Sequence, residues 1–270
     1  MAHMNPWTVV NKVLKKAAVP CIAIAVAPMP FLLLIATGIL DLRRNKGIGL
    51  TMTKQYFLGN GMLTWLLSPL NLILDFACLP HRNPGIYAYN QLPEECKEEI
   101  SYLIEHAARE QLSERVCELL RLERRGMLMF KWYGKSYETS IPMKAYEKQF
   151  QYVRTIGVSV FNRRQSTSLH FGPLRATLRV LYNISECRSR DVYIDVGPTR
   201  HFWADEKLLI FDDTLQHRSV NESDDPRVCL FIDVLRPSSA PAFMSFVVWC
   251  VRVTSCPVRK FFYSNWTFLK

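Results

Sequence analysis

Two histidines of this 270-residue chain lie beside turn-forming residues, where their side chains could act on one ligand. His170 begins the segment His170-Phe-Gly-Pro, and His217 ends the segment Phe211-Asp-Asp-Thr-Leu-Gln-His217. Both fall at predicted strand edges, and imidazoles from opposite ends of a β-barrel can converge on one metal ion. Fe(II) readily accepts imidazole nitrogen. Spacing alone leaves two interpretations open, a metal site and two ordinary histidines at strand ends.

The remaining histidines carry weaker signals. His3, His81 and His106 have no partner motif, and His201 stands in a predicted loop-to-strand stretch. His3 lies in a start that resembles a cloning remnant, and surface or core roles are favoured for the other three. No GxGxxG segment and no Walker A loop occurs in the chain, so nucleotide-phosphate chemistry has no support in the sequence.

Helices followed by many short strands must position these histidines. Pro93 and two glutamates open a helix with one apolar face, and residues 112–122 predict a second helix. Short β-rich runs separated by turn signals follow from about residue 127, and they favour a barrel or jelly roll over a parallel sheet. The predicted strands are residues 152–161, 174–184, 191–196, 207–211 and 228–235.

The two histidine motifs, together with Arg179, Arg227 and Asp233-Val, resemble the aspartyl/asparaginyl β-hydroxylase family. The resemblance covers roughly residues 125–237 and rests on several separated positions that agree in type and spacing. It implies an oxygenase that depends on Fe(II), 2-oxoglutarate and O2, on a double-stranded β-helix. The fold class expected is therefore mainly β with helices, with a jelly-roll or cupin-like catalytic domain behind an N-terminal transmembrane or interfacial helical anchor.

The resemblance assigns the metal ligands. His170 and His217 match the two iron-ligating histidines, and Gly172 stands where other 2-oxoglutarate oxygenases place a carboxylate ligand. The implied iron therefore has two protein ligands, with water at the missing position. Asp213 matches an acid that holds this water, whereas from the sequence alone it is equally a turn residue that caps its own loop.

The resemblance also assigns the cosubstrate residues. Arg227 matches the arginine that grips the distal carboxylate of 2-oxoglutarate, Ser159 matches a hydroxyl donor, and Arg179 matches a second cosubstrate arginine. Strand alternation leaves Arg179 either inside the barrel, where it needs an anionic partner, or outside in solvent. Leu181 replaces a histidine of the peptide-hydroxylating members, so the cosubstrate contacts differ there.

Within the family, the membrane-bound bacterial branch that hydroxylates lipid acyl chains is most similar. The expected reaction is hydroxylation of a lipid acyl chain, at the 2-position of a secondary acyl chain of lipid A. The alternatives are an ornithine-lipid hydroxylase, a hydroxylase of protein Asp or Asn, and a non-catalytic membrane-attached β-barrel binding module. Arg163 and Arg164 are either contacts for a lipid phosphate or a solvated loop.

The formal net charge of +10 resides at the two ends of the chain. Residues 1–85 carry a balance of +6 and residues 236–270 a balance of +5, whereas the middle is near neutral at −1. Basic residues that flank apolar runs indicate an anionic membrane, and they argue against nucleic acid, whose binders spread basic residues over a folded face. No protein partner is indicated. The eight cysteines form no CxxC pair and are expected as isolated thiols in a reducing compartment.

Three regions follow from this pattern. Residues 1–85 are the predicted membrane anchor, with a span at 17–40 that contains three prolines and a second apolar stretch at 56–79 that either spans or lies in the interface. A cleaved signal peptide is the competing interpretation of the first run. Residues 86–237 are the oxygenase domain, and 238–270 an interfacial segment or a tail packed on the domain. The expected location is the bacterial inner membrane, with the catalytic domain facing the cytoplasm.

Overall fold

Two antiparallel sheets enclose the centre of the molecule in the computed structural model. The structure describes residues 28–45, 47–119, 124–255 and 267–269. The larger sheet has the strand order β1-β9-β6-β11-β4-β2-β12, with β3 beside β2, and the smaller sheet has the order β5-β10-β7-β8. Among the described strands of the larger sheet, β12 and β2 are the pair that runs in parallel. This arrangement is a cupin-like double-stranded β-helix, as predicted.

The strands are β1 (Ile86–Tyr87), β2 (Arg125–Trp132), β3 (Lys135–Ser136), β4 (Val153–Phe161), β5 (Gln165–Ser166), β6 (Thr177–Asn183), β7 (Val192–Val196), β8 (Thr199–Phe202), β9 (Leu208–Phe211), β10 (His217–Asn221), β11 (Arg227–Leu235) and β12 (Thr267–Leu269). The helices are α1 (Pro28–Leu42), α2 (Leu50–Leu58), α3 (Met62–Leu66), α4 (Ser68–Ala77), α5 (Glu94–Arg109), α6 (Leu112–Leu119), α7 (Lys144–Glu147) and α8 (Pro241–Ser255).

Strand β11 shows how the sequence pattern builds two cores at once. All nine of its residues are buried, because alternate side chains enter different apolar layers. Val228, Leu230 and Ile232 pack against helices α5 and α6, whereas Cys229 and Phe231 face the interior between the two sheets. This continuous apolar run is typical of a strand that is covered on both faces. The five strands predicted from the sequence are confirmed as β4, β6, β7, β9 and β11.

The same alternation fixes which polar residues face the barrel interior. In the register of the sheet, Ser159 of β4 stands opposite Cys229, and Arg179 of β6 stands opposite Asp233. The neighbours Leu178 and Val180 are in the outer core with α5 and α6. Arg179 therefore points inward, and the solvated alternative for this residue is wrong.

The N-terminal apolar region forms four helices that pack on one another and on α8. The stretch at 56–79 is divided among α2, α3 and α4, with breaks at Gly59–Gly61 and before Pro69. Of the predicted span at 17–40, residues 17–27 lie outside the described residues, and the remainder belongs to α1. Over the ranges that the structure describes, we find no helix with the length and apolar character needed to cross a bilayer. The anchor therefore stays a prediction.

A buried ion-pair network joins these helices to the barrel. Arg175, which is 0% exposed, contacts Asp41 of α1, Asp75 of α4 at 2.7 Å and Asp212 after β9 at 3.4 Å. Arg44 also pairs with Asp212, at 2.6 Å, and Arg236 pairs with Asp75 at 2.7 Å. Because charges without water need close partners, each member depends on the others. The helices and the barrel are thus held as one unit.

Removal of one anion from this network should destabilise the fold. For Asp41→Asn we expect the free energy of unfolding to fall by about 3 kcal/mol, since Arg175 stays buried with less compensation. Urea unfolding followed by circular dichroism measures it. The matched control is Asp205→Asn, whose pair with Arg190 is exposed on both sides and should cost less than about 1 kcal/mol. Equal effects of the two substitutions would contradict a structural role for the network.

Candidate active site

His170 and His217 are paired directly across the barrel mouth. They form an isolated antiparallel bridge, in which the His170 amide donates to the His217 carbonyl at 3.0 Å and the His217 amide donates back at 2.9 Å. Residues opposite each other in such a pair place their side chains on the same face. The two ring centroids are accordingly 4.1 Å apart, with the planes tilted by 53°. The structure thus brings together the two histidines singled out by their turn motifs.

The hydrogen bonds of the two rings leave one nitrogen of each available. The Nδ1 of His170 is 2.8 Å from the carbonyl oxygen of Ser168, and the Nδ1 of His217 is 2.8 Å from that of Leu215. A carbonyl only accepts, so each Nδ1 carries the proton and each Nε2 keeps its lone pair. Burial lowers the pKa of both imidazoles, and for His217 the neighbouring His170 lowers it further. Neutral rings with oriented Nε2 atoms suit metal ligation.

The carboxylate of Asp213 fills the space beside Gly172. The Gly172 amide donates to the Asp213 carbonyl at 2.7 Å, and a Cβ on Gly172 would overlap all three atoms of the Asp213 carboxyl group. No side chain fits at position 172 while Asp213 keeps this place. Within the described ranges, no group of three or more His, Cys, Asp or Glu side chains is arranged to hold a metal ion. The two histidines are the ligands that this pocket offers.

Arg179 is shared by two carboxylates. Its Nη2 donates to Asp213 at 3.0 Å and its Nε to Asp233 at 2.6 Å, while the guanidinium lies 3.7 Å from the centroid of the Phe231 ring. One cation therefore faces two buried anions. The pKa of Asp213 is raised to about 7, chiefly because burial disfavours the ionised carboxylate. Arg179 lowers this pKa, and the nearby charges of Asp233 and Asp212 raise it. Near neutral pH the Asp213 carboxyl group is therefore present in both its protonated and its ionised form.

Arg227 presents an unsatisfied cationic group to the same pocket. It is 3% exposed and lies over the Phe161 ring at 4.2 Å. Its Nη1 is buried and has no hydrogen-bond partner among the described residues. An orphaned guanidinium nitrogen is expensive to bury unless an acceptor arrives. A carboxylate would satisfy it, and the buried Ser159 lines the pocket beside it. The residues present therefore fit 2-oxoglutarate as well as a divalent metal ion.

One pocket unites most of the predicted site. It includes both histidines and the predicted cosubstrate residues Ser159, Arg179 and Arg227. Asp213 does not line it directly and reaches it through Arg179. Leu181, at the position of the peptide hydroxylases' histidine, also lines it and makes that wall apolar. The residues not predicted from the sequence are Phe161, Thr167, Ile194, Phe211, Ser219 and Phe231.

One of these residues, Ser219, could have been predicted from its spacing to His217. Ser219 is two residues after His217, and so it shares a strand face with that histidine. Its amide donates to the Thr167 hydroxyl at 3.0 Å, which joins β10 to the segment that leads to His170. Arg163 and Arg164 are exposed and outside the lining, and Arg164 lies 3.5 Å from Asp224. The structure does not bring these two arginines to the pocket.

Comparison with known proteins finds a similar family for the part of the chain that holds this pocket. The model of the aspartyl/asparaginyl beta-hydroxylase family matches residues 127–237. This part of the chain is similar to that family. The "Ornithine lipid ester-linked acyl 2-hydroxylase" of Rhizobium tropici is 33% identical over 94 residues, which are 34% of this chain and 33% of that protein. The match thus spans about a third of the curated relative.

Solved structures with low similarity include cupins. A Cupin 2 conserved barrel domain protein from Salinispora arenicola is 9% identical, with 43% of this chain and 85% of that chain covered and a TM-score of 0.28. A cupin superfamily protein from Desulfitobacterium hafniense is 13% identical, with 33% and 72% covered and a TM-score of 0.25. Because these scores are low, the cupin-like fold rests on the strand pairing described above.

The raised pKa of Asp213 predicts an unusual pH dependence of stability. The folded, metal-free chain holds this proton up to about pH 7, whereas an unfolded aspartate loses it near pH 4. Between these values the folded state holds more proton at Asp213 than the unfolded chain does, so the contribution of Asp213 to the free energy of unfolding should fall as pH rises, by up to about 1.4 kcal/mol per unit. The lowered pKa values of His170 and His217 act in the opposite direction. Urea unfolding from pH 4 to 8 measures this slope. Asp213→Asn should remove the Asp213 contribution and so make the slope more positive, whereas Asp205→Asn should leave it unchanged. A slope that Asp213→Asn leaves unchanged would disprove the assignment.

Proposed function

We propose that this protein is an Fe(II)- and 2-oxoglutarate-dependent dioxygenase that hydroxylates an acyl chain of a membrane lipid. One observation carries the proposal: one pocket is lined by two neutral histidines and by Arg227, whose buried Nη1 has no hydrogen-bond partner among the described residues. The histidines suit a divalent metal ion, and the guanidinium suits a dicarboxylate. The family of residues 127–237 supports the same chemistry.

The residues of the pocket would bind the metal ion and 2-oxoglutarate and keep the metal-binding rings oriented. His170 and His217 would hold the metal ion, and their bonds to the Ser168 and Leu215 carbonyls keep the rings oriented. Arg227 would bind the distal carboxylate of 2-oxoglutarate, with Ser159 as a further donor. With O2, the bound iron and 2-oxoglutarate would supply the oxidising power to hydroxylate an unactivated C–H bond, with succinate and CO2 as co-products.

Asp213 and Arg179 have a separate task. The Asp213 carboxyl stands where a third protein ligand would otherwise lie, and it could accept a hydrogen bond from a water in that position. Arg179 holds this carboxyl at 3.0 Å. Its guanidinium is paired with Asp213 and Asp233. Because a guanidinium has five N–H donors, a contact with the cosubstrate does not require that either bond be exchanged.

A lipid substrate is favoured over a soluble peptide. Leu181, Ile194, Phe211 and Phe231 make much of the pocket wall apolar, which suits an acyl chain. The Rhizobium tropici relative is named for an acyl 2-hydroxylase of ornithine lipid. We propose hydroxylation near the acyl carbonyl at the bacterial inner membrane, from its cytoplasmic side, with the 2-position of a secondary acyl chain of lipid A as the first candidate. The name of the relative favours an ornithine lipid as the second.

Turnover should depend on His217. Protein supplied with Fe(II), 2-oxoglutarate and O2 in mixed micelles of lipid A or of ornithine lipid should form succinate and add one oxygen to one of these lipids. His217→Ala should lower succinate formation by about 100-fold or more, because a metal ligand is lost. The matched control, His106→Ala, removes a histidine of α5 that does not line the pocket and should keep full activity. Mass spectrometry identifies the oxidised lipid, and turnover that survives His217→Ala would refute the metal assignment.

The guanidinium of Arg227 should determine the affinity for 2-oxoglutarate. For Arg227→Lys we expect the KM for 2-oxoglutarate to rise about 10- to 100-fold, since a lysine cannot pair a carboxylate bidentately. The control is Arg218→Lys, whose partner Asp195 is on the outside of β7, and its KM should stay unchanged. Succinate formation at varied 2-oxoglutarate measures both. An unaltered KM in Arg227→Lys would show that another group binds the cosubstrate.

A further inference from the structure

Exposed apolar side chains are concentrated on one set of helices. Eighteen of the twenty large hydrophobic residues that the described part of the chain exposes fall within residues 29–79 or 243–253. Phe76 is 74% exposed, Leu32 60% and Trp249 47%. Soluble proteins rarely expose a contiguous apolar surface of this size without a partner for it. We call the outer sides of α1 to α4 and α8 the helical face.

The helical face belongs to one packed layer with its back on the barrel. Helix α1 contacts α3 and α4, and α4 contacts α8. On the inner side, Tyr56, Trp65 and Phe171 form one buried cluster, and Leu74 and Met244 belong to another. Each helix therefore has a buried side and an exposed side that are both apolar. The exposed side is not explained by packing within the described residues.

The charges of this layer suit an anionic surface. Asp41 and Asp75 are the acidic residues of the segment 28–85, and both are neutralised by Arg175. Arg43, Lys54 and Arg82 are exposed, and α8 contains Arg252 and no acid. The layer thus presents apolar and cationic groups without an exposed carboxylate. Anionic lipid headgroups attract each such cation by about 1 kcal/mol.

The layer also holds the segment that carries His170. Asn60 donates to the Leu169 carbonyl at 2.7 Å, Thr64 donates to the Gly172 carbonyl at 2.6 Å, and Asn71 donates to the Pro173 carbonyl at 3.1 Å. Leu169 itself is exposed. A surface that docks on the helical face therefore comes close to one wall of the pocket.

We propose that the helical face is a monotopic docking surface for one leaflet of an anionic bilayer. The apolar side chains enter the acyl region and the cations meet the headgroups. The inference deepens the proposed function, on which its purpose rests, because docking brings acyl chains to the rim of the pocket beside Leu169. A second copy of this chain and the chain's own residues 1–27 are the competing occupants of the face.

Quenching of tryptophan fluorescence by brominated lipid tests directly whether a bilayer covers the helical face. The full chain is reconstituted without metal or 2-oxoglutarate into vesicles of phosphatidylglycerol and phosphatidylethanolamine with brominated acyl chains. Emission from Trp249 is the difference between the native chain and Trp249→Phe. We expect most of this emission to be lost to bromine. The matched control is Leu119→Trp in the Trp249→Phe background, at an equally exposed position on α6, and its added emission should persist.

The other outcomes are decisive. Trp249 emission that brominated lipid does not quench would overturn the proposal, and concentration-dependent crosslinking between copies would then identify a second chain as the occupant. Unquenched emission without crosslinking would point to residues 1–27. With phosphatidylcholine alone, the vesicle-bound fraction in flotation should fall by at least about tenfold, and equal binding would overturn the electrostatic part. Since no cosubstrate is present, quenching succeeds or fails independently of catalysis.

Discussion

The buried guanidinium of Arg175 is the interaction on which the arrangement of the whole molecule depends. A fully buried cation is stable only among anions, and Arg175 takes its anions from α1, from α4 and from the loop after β9. The same loop contains Asp213 and ends at His217. Arg44 reinforces the connection through Thr214 at 3.1 Å. The placement of His217 is therefore linked to helices that begin more than a hundred residues earlier in the chain.

The adjacent residues Asp212 and Asp213 show how one loop serves structure and chemistry. Burial disfavours the charge of both. Arg44 and Arg175 nevertheless hold the pKa of Asp212 below its ordinary value, whereas Asp213 shares one guanidinium with Asp233, and its pKa is raised to about 7. Asp212 thus stays an anion that fastens the fold. Asp213 can change its protonation near neutral pH, which is useful beside a reacting centre.

The sequence predicts the residues of the pocket better than their surroundings. The two histidines in turn motifs and the three residues that the family resemblance assigned, Ser159, Arg179 and Arg227, all line one pocket. Asp233 was not foreseen as a partner of Arg179, because the contact depends on the pairing of β6 with β11. The Arg175 network was missed for the same reason, since its partners are far apart in the chain. Strand β8, with its polar sequence Thr199–Phe202, lacks the apolar alternation by which the five predicted strands were recognised.

The sequence pattern predicted the apolar N-terminal region as a membrane anchor separate from the barrel. In the structure, the described helices of this region pack against the barrel. Periodicity cannot distinguish a helix that is buried on one side by protein from one that meets lipid, since both sides are apolar. The distinction came from the few polar residues within these helices. Asp41, Thr64, Asn71 and Asp75 all bond to the barrel, and they determine which side faces inward.

The close fit of Gly172 against Asp213 has a consequence for the evolutionary history of such sites. A third metal-binding carboxylate at position 172 would have to occupy the volume that the Asp213 carboxyl already fills. The three-ligand and two-ligand forms of this pocket are therefore not separated by one neutral substitution. A lineage that passes between them must change both positions, and each change made first leaves either a collision or an empty space. This mutual exclusion would keep a two-histidine site stable over long divergence.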